Sequence, residues 1–155
     1  METSDWIQVI GILINVIFGV VIIWLVQSKL ENKRVLKDYI IRETIQIRAD
    51  YCKLIDKVIS SQFKPQDLII EYKLINVNGY NILAVANKKY NTDMTVLIPY
   101  QIELLRIICD DENYVKGYKT NNDVQLHPNT SNRIMKFQAD NSSIFNDLIV
   151  IINDA

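Results

Sequence analysis

Hydrophobic and polar positions are distributed unevenly along the chain. No charged residue occurs from Trp6 to Val26, which leaves an apolar run of 21 residues. A helix needs about 20 apolar residues to cross the core of a bilayer. The five residues before Trp6 are acidic rather than basic, and no small-residue cleavage site follows the run, so a cleaved signal peptide does not fit. The run predicts a retained N-terminal transmembrane segment, residues 1–28.

The charges on either side of the run predict its orientation. Glu2 and Asp5 precede it, whereas Lys29, Lys33, Arg34 and Lys37 follow it. Basic residues stay on the cytoplasmic side of a membrane. We therefore expect a single-pass membrane protein, with its N-terminus outside and its C-terminal domain in the cytoplasm.

Polar and small residues share one face of this segment. Gln8, Gly11, Asn15 and Gly19 follow one another at steps of three, four and four residues, which places them on the same side of a helix. Small residues let two membrane helices approach closely, and an amide can form a hydrogen bond across the contact. The face predicts association into a homo-oligomer, and a monomeric anchor is the alternative.

The chain after the membrane segment keeps a helical pattern. No Pro or Gly occurs from Ser28 to Gln62, and apolar or small residues recur there at heptad spacing, namely Ile40, Thr44, Ile47, Tyr51, Leu54 and Val58. Ile41, Ile45, Ile55 and Ile59 widen this stripe, which indicates burial against more than one neighbour. We expect the membrane helix to continue into a juxtamembrane helix over 29–62, the first helix of the cytosolic domain.

The remaining residues, 63–155, also favour helices. The segment 68–90 predicts two helices broken near Gly79, with a hairpin at Asn78-Gly79 as the alternative. Pro99 suits the first turn of a further helix. The last segment, 133–152, carries an apolar face that Asp140–Ser143 interrupts. The predicted fold is all-α, with one transmembrane helix continuing into a cytosolic bundle of about four to five helices.

Charge and composition exclude several functions. The net charge is −1, so no strong field attracts nucleic acid, and we expect no DNA partner. Cys52 and Cys109 lie far apart in sequence and far from His127, which argues against a Cys/His metal site and a disulfide framework. The acidic run 110–112 is typical of solvated surface. We expect neither a metal nor a cofactor.

Motifs for catalysis are also missing from the sequence. Four glycines, two of them in the apolar run, cannot supply a glycine-rich loop for phosphates. No nucleophile motif occurs, and the single histidine has no evident catalytic partner. We therefore expect a binding protein and not an enzyme.

A polar stretch from Gly117 to Asn132 has the composition of a loop. Cationic and amide side chains suited to an anionic ligand occur in and around it, and the predicted ligand-binding residues are Lys116, Lys119, His127, Asn132, Arg133 and Lys136. Tyr114 and Tyr118 could stack on bases. A solvated loop rim is the alternative, and Lys88-Lys89 is a second candidate site.

The layout of one membrane helix followed by a compact cytosolic domain resembles small membrane effectors of bacterial antiviral defence. It is similar above all to CRISPR-associated membrane proteins that bind cyclic tetra-adenylate. The resemblance extends over the whole chain as a layout and assigns no binding residue. It implies an oligomeric effector of the bacterial inner membrane whose cytosolic domain binds a cyclic nucleotide, with cyclic oligoadenylate favoured, and which perturbs the membrane. The alternative is a membrane-anchored adaptor or docking module for a protein partner, without a small-molecule ligand.

Overall fold

The structure is a computed structural model that describes the backbone of residues 3–90, 95 and 97–154 and, within these ranges, the side chains from residue 17 onward. These residues form helices and no extended strand, which confirms the all-α fold. The six helices are α1 (Thr3–Ser60), α2 (Pro65–Tyr90), α3 (Leu97–Cys109), α4 (Glu112–Thr120), α5 (Pro128–Asp140) and α6 (Ile144–Asp154).

The chain divides into two compact units, Met1–Tyr39 and Ile40–Ala155. In the first unit, the side chains of residues 20–26 are all apolar and exposed. No helix over the described residues is long and apolar enough to cross a membrane. The structure does not describe the side chains of residues 6–16 of the predicted membrane segment, and this range includes Gln8, Gly11 and Asn15. At Gly19, the fourth member of the predicted association face, an added Cβ atom would meet no described side chain within 4 Å.

The heptad stripe of α1 is buried in the second unit as predicted. Its six residues, from Ile40 to Val58, are each at most 5% exposed. Thr44 fits this apolar environment because its hydroxyl donates a hydrogen bond to the carbonyl of Ile40 at 2.8 Å. The predicted widening of the stripe is right for buried Ile55 and wrong for Ile45, which is 52% exposed.

The segment predicted as two helices is one continuous helix, α2, so both the break at Gly79 and the hairpin are wrong. Gly79 is buried in the middle of α2. A Cβ atom at this position would lie 3.5 Å from the Leu97 side chain of α3 and 3.9 Å from the Ile47 side chain of α1. The glycine therefore marks a close approach of three helices and not a turn.

The long loop predicted over 117–132 is also wrong, since only residues 121–127 separate α4 from α5. Asn121 ends α4 in the left-handed conformation, with φ of 56°, which asparagine tolerates well. Pro128 begins α5, a position where the missing amide hydrogen costs nothing. An antiparallel bridge between Phe63 and Val124 fixes the connection, with N–O distances of 3.0 and 2.9 Å.

Two further expectations have definite outcomes. The interruption at Asp140–Ser143 is confirmed, because α5 ends at Asp140 and α6 begins at Ile144. The acidic run is only partly solvated: Asp110 and Glu112 are exposed, whereas Asp111 is 3% exposed. The burial of the Asp111 carboxylate is tolerated because three backbone N–H groups donate hydrogen bonds to it.

Aromatic rings form the centre of the helical core. The ring of Tyr51 on α1 lies 5.4 Å from that of Tyr100 on α3 and 6.0 Å from that of Phe145 on α6, measured between centroids. The Tyr51 hydroxyl donates to Asn76 and accepts from Gln101 at 3.0 Å. Burial raises the pKa of Tyr51, and it raises the pKa of Tyr100 to about 12, so both phenols stay neutral at physiological pH.

Candidate functional site

The structure places the predicted ligand-binding residues on two helices and not on one loop. Lys116 and Lys119 lie on α4, and His127 is the N-cap of α5. The other three, Asn132, Arg133 and Lys136, are exposed on α5.

These residues line separate cavities. Lys116 lines one with residues 122–125, Lys119 lines another with Ile69 of α2, and His127 lines a third with the acidic run. Several of the side chains already have local partners. Lys116 pairs with Glu112 at 3.8 Å and Arg133 with Asp110 at 3.5 Å. The structure therefore does not gather the predicted set into one site.

The side chain of His127 has a structural role. Its Nδ1 atom accepts a hydrogen bond from the backbone N–H of Asn129 at 3.3 Å, which caps the start of α5. An imidazole nitrogen that accepts such a bond is unprotonated. The histidine is thus engaged in the N-cap of α5.

A cleft between α2 and α3 offers a more coherent site. Its volume is about 470 Å³, and we call it the α2–α3 cleft. The described residues that line it are Tyr80, Leu83, Ala84, Asn87, Lys88, Thr95, Leu97, Ile98 and Gln101. This volume falls within the range of about 300–1,000 Å³ that is usual for small-molecule sites.

The sequence explains how the cleft forms. Gly79 allows α3 to approach α2 closely, and the buried side chains of Leu83 and Leu97 lie at the base of the contact. Tyr80 remains 68% exposed at the rim. Tyr80, Ala84 and Lys88 are spaced four residues apart, so they follow one another along the same side of α2.

The chemistry of the lining favours an anion with a flat group. Lys88 is the charged member of the described lining, and Lys89 follows it in the last turn of α2. The exposed ring of Tyr80 offers a stacking surface, and the amides of Asn87 and Gln101 can donate and accept hydrogen bonds. Gln101 is positioned by its hydrogen bond to the Tyr51 hydroxyl at 3.0 Å.

The sequence predicted this region only as a second candidate binding site, through Lys88-Lys89. The signal for the cleft was the four-residue spacing of Tyr80, Ala84 and Lys88. That signal requires α2 to be continuous through Gly79, and the expected break at Gly79 concealed it. The contribution of α3, through Ile98 and Gln101, depends on tertiary packing and has no sequence signature.

Over the part of the chain that the structure describes, no group of three or more histidine, cysteine, aspartate or glutamate side chains could hold a metal ion. Cys52 and Cys109 are free thiols, each of intermediate exposure. No protein-family model matches the chain, and neither a curated protein nor a solved structure matches it.

Proposed function

We propose that the protein is an oligomeric single-pass membrane effector whose C-terminal domain binds a cyclic nucleotide second messenger in the α2–α3 cleft. Cyclic oligoadenylate is the favoured ligand because of the layout of the chain, and antiviral defence is the favoured role. The observation that carries the proposal is the combination of an exposed ring, a lysine and two amides in one cleft of about 470 Å³. The protein acts as a binding protein and not as an enzyme.

Each part of a nucleotide has a complement in the cleft. The ring of Tyr80 can stack on a base, which is favourable for any base. The ammonium of Lys88 suits a phosphate, and the amides of Asn87 and Gln101 suit the hydrogen-bonding edge of adenine. A cyclic oligonucleotide is larger than one such cleft, so its remaining units would contact a second copy of the chain.

Coupling to the membrane requires that the ligand bind one arrangement of the copies better than another. The apolar run Trp6–Val26 supports a membrane segment, and its described side chains at 20–26 are exposed. Asn15 and the two glycines of the run support contact between copies inside the bilayer. A symmetric cyclic ligand suits such a symmetric oligomer.

The test is a titration of the full chain in lipid nanodiscs with cyclic di-, tri-, tetra- and hexanucleotides, followed by calorimetry. We expect one of these cyclic nucleotides to bind. Lys88→Gln should weaken its binding by about tenfold or more, because a charge-assisted hydrogen bond contributes about 1.5–3 kcal/mol. Lys89→Gln is the matched control, since it removes the same charge one residue outside the cleft. Equal effects of both variants, or no binding of any member, would contradict the proposal.

The second candidate function, an adaptor for a protein partner, is favoured by the outward face of α2. Ile70, Leu74 and Val77 lie there at helical spacing and are 58%, 60% and 55% exposed. Contiguous exposed apolar side chains mark protein contacts. If the adaptor is correct, Leu74→Lys should abolish capture of a partner by the full chain, and no cyclic nucleotide should bind.

A further inference from the structure

A second cavity lies where α2, α3 and α4 meet, apart from the α2–α3 cleft. Its volume is about 260 Å³, and we call it the α4 pocket. It is lined by Ile69, Cys109, Tyr114, Val115, Tyr118 and Lys119. The rings of Tyr114 and Tyr118 are stacked, with centroids 6.3 Å apart and planes 24° apart, and give the pocket an aromatic wall.

Two buried oxygen atoms near this pocket have no hydrogen-bond partner among the residues that the structure describes. They are the hydroxyl of Tyr114 and Oε1 of Gln66. Gln66 belongs to the same helix junction, since its Nε2 donates to the carbonyl of Tyr118 at 2.9 Å. Buried polar atoms in folded proteins nearly always have partners. The Tyr114 residue belongs to the lining of the α4 pocket, so a polar group of a ligand in this pocket would give its hydroxyl a partner.

The Cys109 thiol does not fill this role. Burial is the main reason that the pKa of the Tyr114 hydroxyl is raised, and the Cys109 thiol, which lies within hydrogen-bonding reach of this hydroxyl, raises the pKa further. The two groups nevertheless do not meet the geometry of a hydrogen bond. The Tyr114 hydroxyl is therefore neutral and retains an unused hydrogen-bond donor.

Lys119 gives the pocket a positive charge. It forms no ion pair with any residue that the structure describes, whereas Lys116, one turn earlier on α4, pairs with Glu112 at 3.8 Å. The other members of the lining are aliphatic side chains, two aromatic rings and a thiol. A ligand suited to the pocket thus combines a flat apolar body with a single negative charge.

We propose that the α4 pocket binds a small aromatic carboxylic acid of one ring. The ring packs against Ile69, Val115 and the tyrosine wall, and the carboxylate accepts from the Lys119 ammonium. A hydroxyl on the ring exchanges a hydrogen bond with the Tyr114 hydroxyl. The pocket is smaller than a usual drug-sized site, so a single ring fits it better than a nucleotide does. This site is independent of the proposed cyclic nucleotide site.

The experiment uses the full chain in lipid nanodiscs and 4-hydroxybenzoate as the probe, with calorimetry as the readout. We expect saturable binding of one probe molecule per chain and at least about tenfold weaker binding of the neutral isostere 4-hydroxybenzamide. Lys119→Gln should weaken the binding of 4-hydroxybenzoate by about the same factor. The control Lys116→Gln should change this affinity by no more than about twofold. No saturable binding to the wild type, or equal effects of the two lysine variants, would overturn the proposal.

Tyr114→Phe separates binding from folding. It removes an unpartnered buried hydroxyl, so the melting temperature without ligand should stay the same or rise. The variant should lose affinity for 4-hydroxybenzoate but keep its affinity for benzoate, which has no ring hydroxyl. Equal affinity of the variant and the wild type for 4-hydroxybenzoate would remove Tyr114 from the site and overturn the proposal.

Discussion

The carboxylate of Asp111 accepts a hydrogen bond from the backbone N–H of His127, with 2.9 Å between the nitrogen and Oδ2. Its other oxygen, Oδ1, accepts from the N–H groups of Asn113 and Tyr114 at 2.9 and 3.2 Å, which caps α4. One buried side chain thus joins the start of α4 to the start of α5. The two helices that carry most of the predicted ligand-binding residues are held together by an aspartate that was expected to be solvated.

Substituting Asp111→Asn should destabilise the fold. An asparagine can keep one oxygen for the cap of α4, but its amide group then faces the N–H of His127 as a second donor. We expect a loss of about 1–3 kcal/mol in the free energy of unfolding, the usual cost of leaving a buried donor unpaired. Chemical denaturation of the full chain measures it. Asp110→Asn is the control, because its pair with Arg133 is exposed and contributes at most about 1 kcal/mol. Equal losses would contradict the role of Asp111.

Acid should remove the contribution of Asp111. Burial raises the pKa of this carboxyl, but hydrogen bonds from Thr130 and from the N–H groups of His127, Tyr114 and Asn113 outweigh burial and hold the pKa below its ordinary value of 3.8. Stability from a lowered folded-state pKa is present above the unfolded value and is lost as the pH falls through the folded value. The stability difference between wild type and Asp111→Asn should therefore be constant near neutrality and shrink below a pH of about 3.8. A difference that persists unchanged in acid would exclude the ionised carboxylate as its source.

The sequence alone could not identify Asp111 among three consecutive acidic residues, since its burial depends on where α5 begins. The same limit applies to the segment 117–132. Its polar composition suggested a loop, yet α4 buries only Tyr114 and Gly117, and α5 buries only Thr130 and Ile134. With so few buried positions, polar residues dominate the composition of both helices. Their caps and the bridge to Phe63 define them instead.

Gly79→Ala should stabilise the domain. A Cβ atom there would make ordinary contacts, the nearest at 3.5 Å from Leu97 Cδ2, and no described glycine has a positive φ. Alanine in a helix interior is favoured over glycine by about 0.8–1 kcal/mol. Thermal unfolding of the full chain should show a higher melting temperature. A lower one would mean that the contact with α3 does not tolerate a methyl group.

Gly117→Ala is the opposite case and serves as the control. A Cβ atom at Gly117 would lie 1.9 Å from Val124 Cγ1 and 3.2 Å from the carbonyl oxygen of Asn122. Val124 cannot move away freely, because its backbone is bridged to Phe63. We expect destabilisation of about 1–3 kcal/mol, the usual cost of overpacking. If both glycine variants raise stability, helix propensity rather than packing determines the result.

Helix α2 shows why its pattern was ambiguous. Leu68, Tyr72, Ile75, Gly79, Leu83 and Ala86 face the core, while Ile70, Leu74 and Val77 face outward. A helix with apolar residues on both faces has no single hydrophobic stripe, so Asn78-Gly79 could be taken for a break. The heptad stripe of α1 was predictable because its outward positions carry charges.

Tyr51→Phe should test the polar centre of the aromatic core. The substitution keeps the ring contacts with Tyr100 and Phe145 but removes the hydroxyl shared by Asn76 and Gln101. We expect a loss of about 1–3 kcal/mol in the free energy of unfolding, since two amides lose a partner in a partly buried place. Because Gln101 also lines the α2–α3 cleft, the affinity for a cyclic nucleotide should fall as well. Unchanged stability would mean that water replaces the hydroxyl at no cost.

Asn15→Leu distinguishes the two candidate functions of the whole chain. In the effector, Asn15 forms hydrogen bonds between copies within the bilayer, and its loss should weaken association by about 0.6–2 kcal/mol. Energy transfer between labelled copies in liposomes measures this, and Val16→Leu is the control because residue 16 lies off the predicted face. Membrane action should fall while nucleotide binding to the C-terminal domain is unchanged, since residue 15 is remote in sequence from the cleft residues 80–101. In the adaptor, Asn15→Leu should leave both association and partner capture unaltered, because a leucine anchors a helix in lipid at least as well as an asparagine.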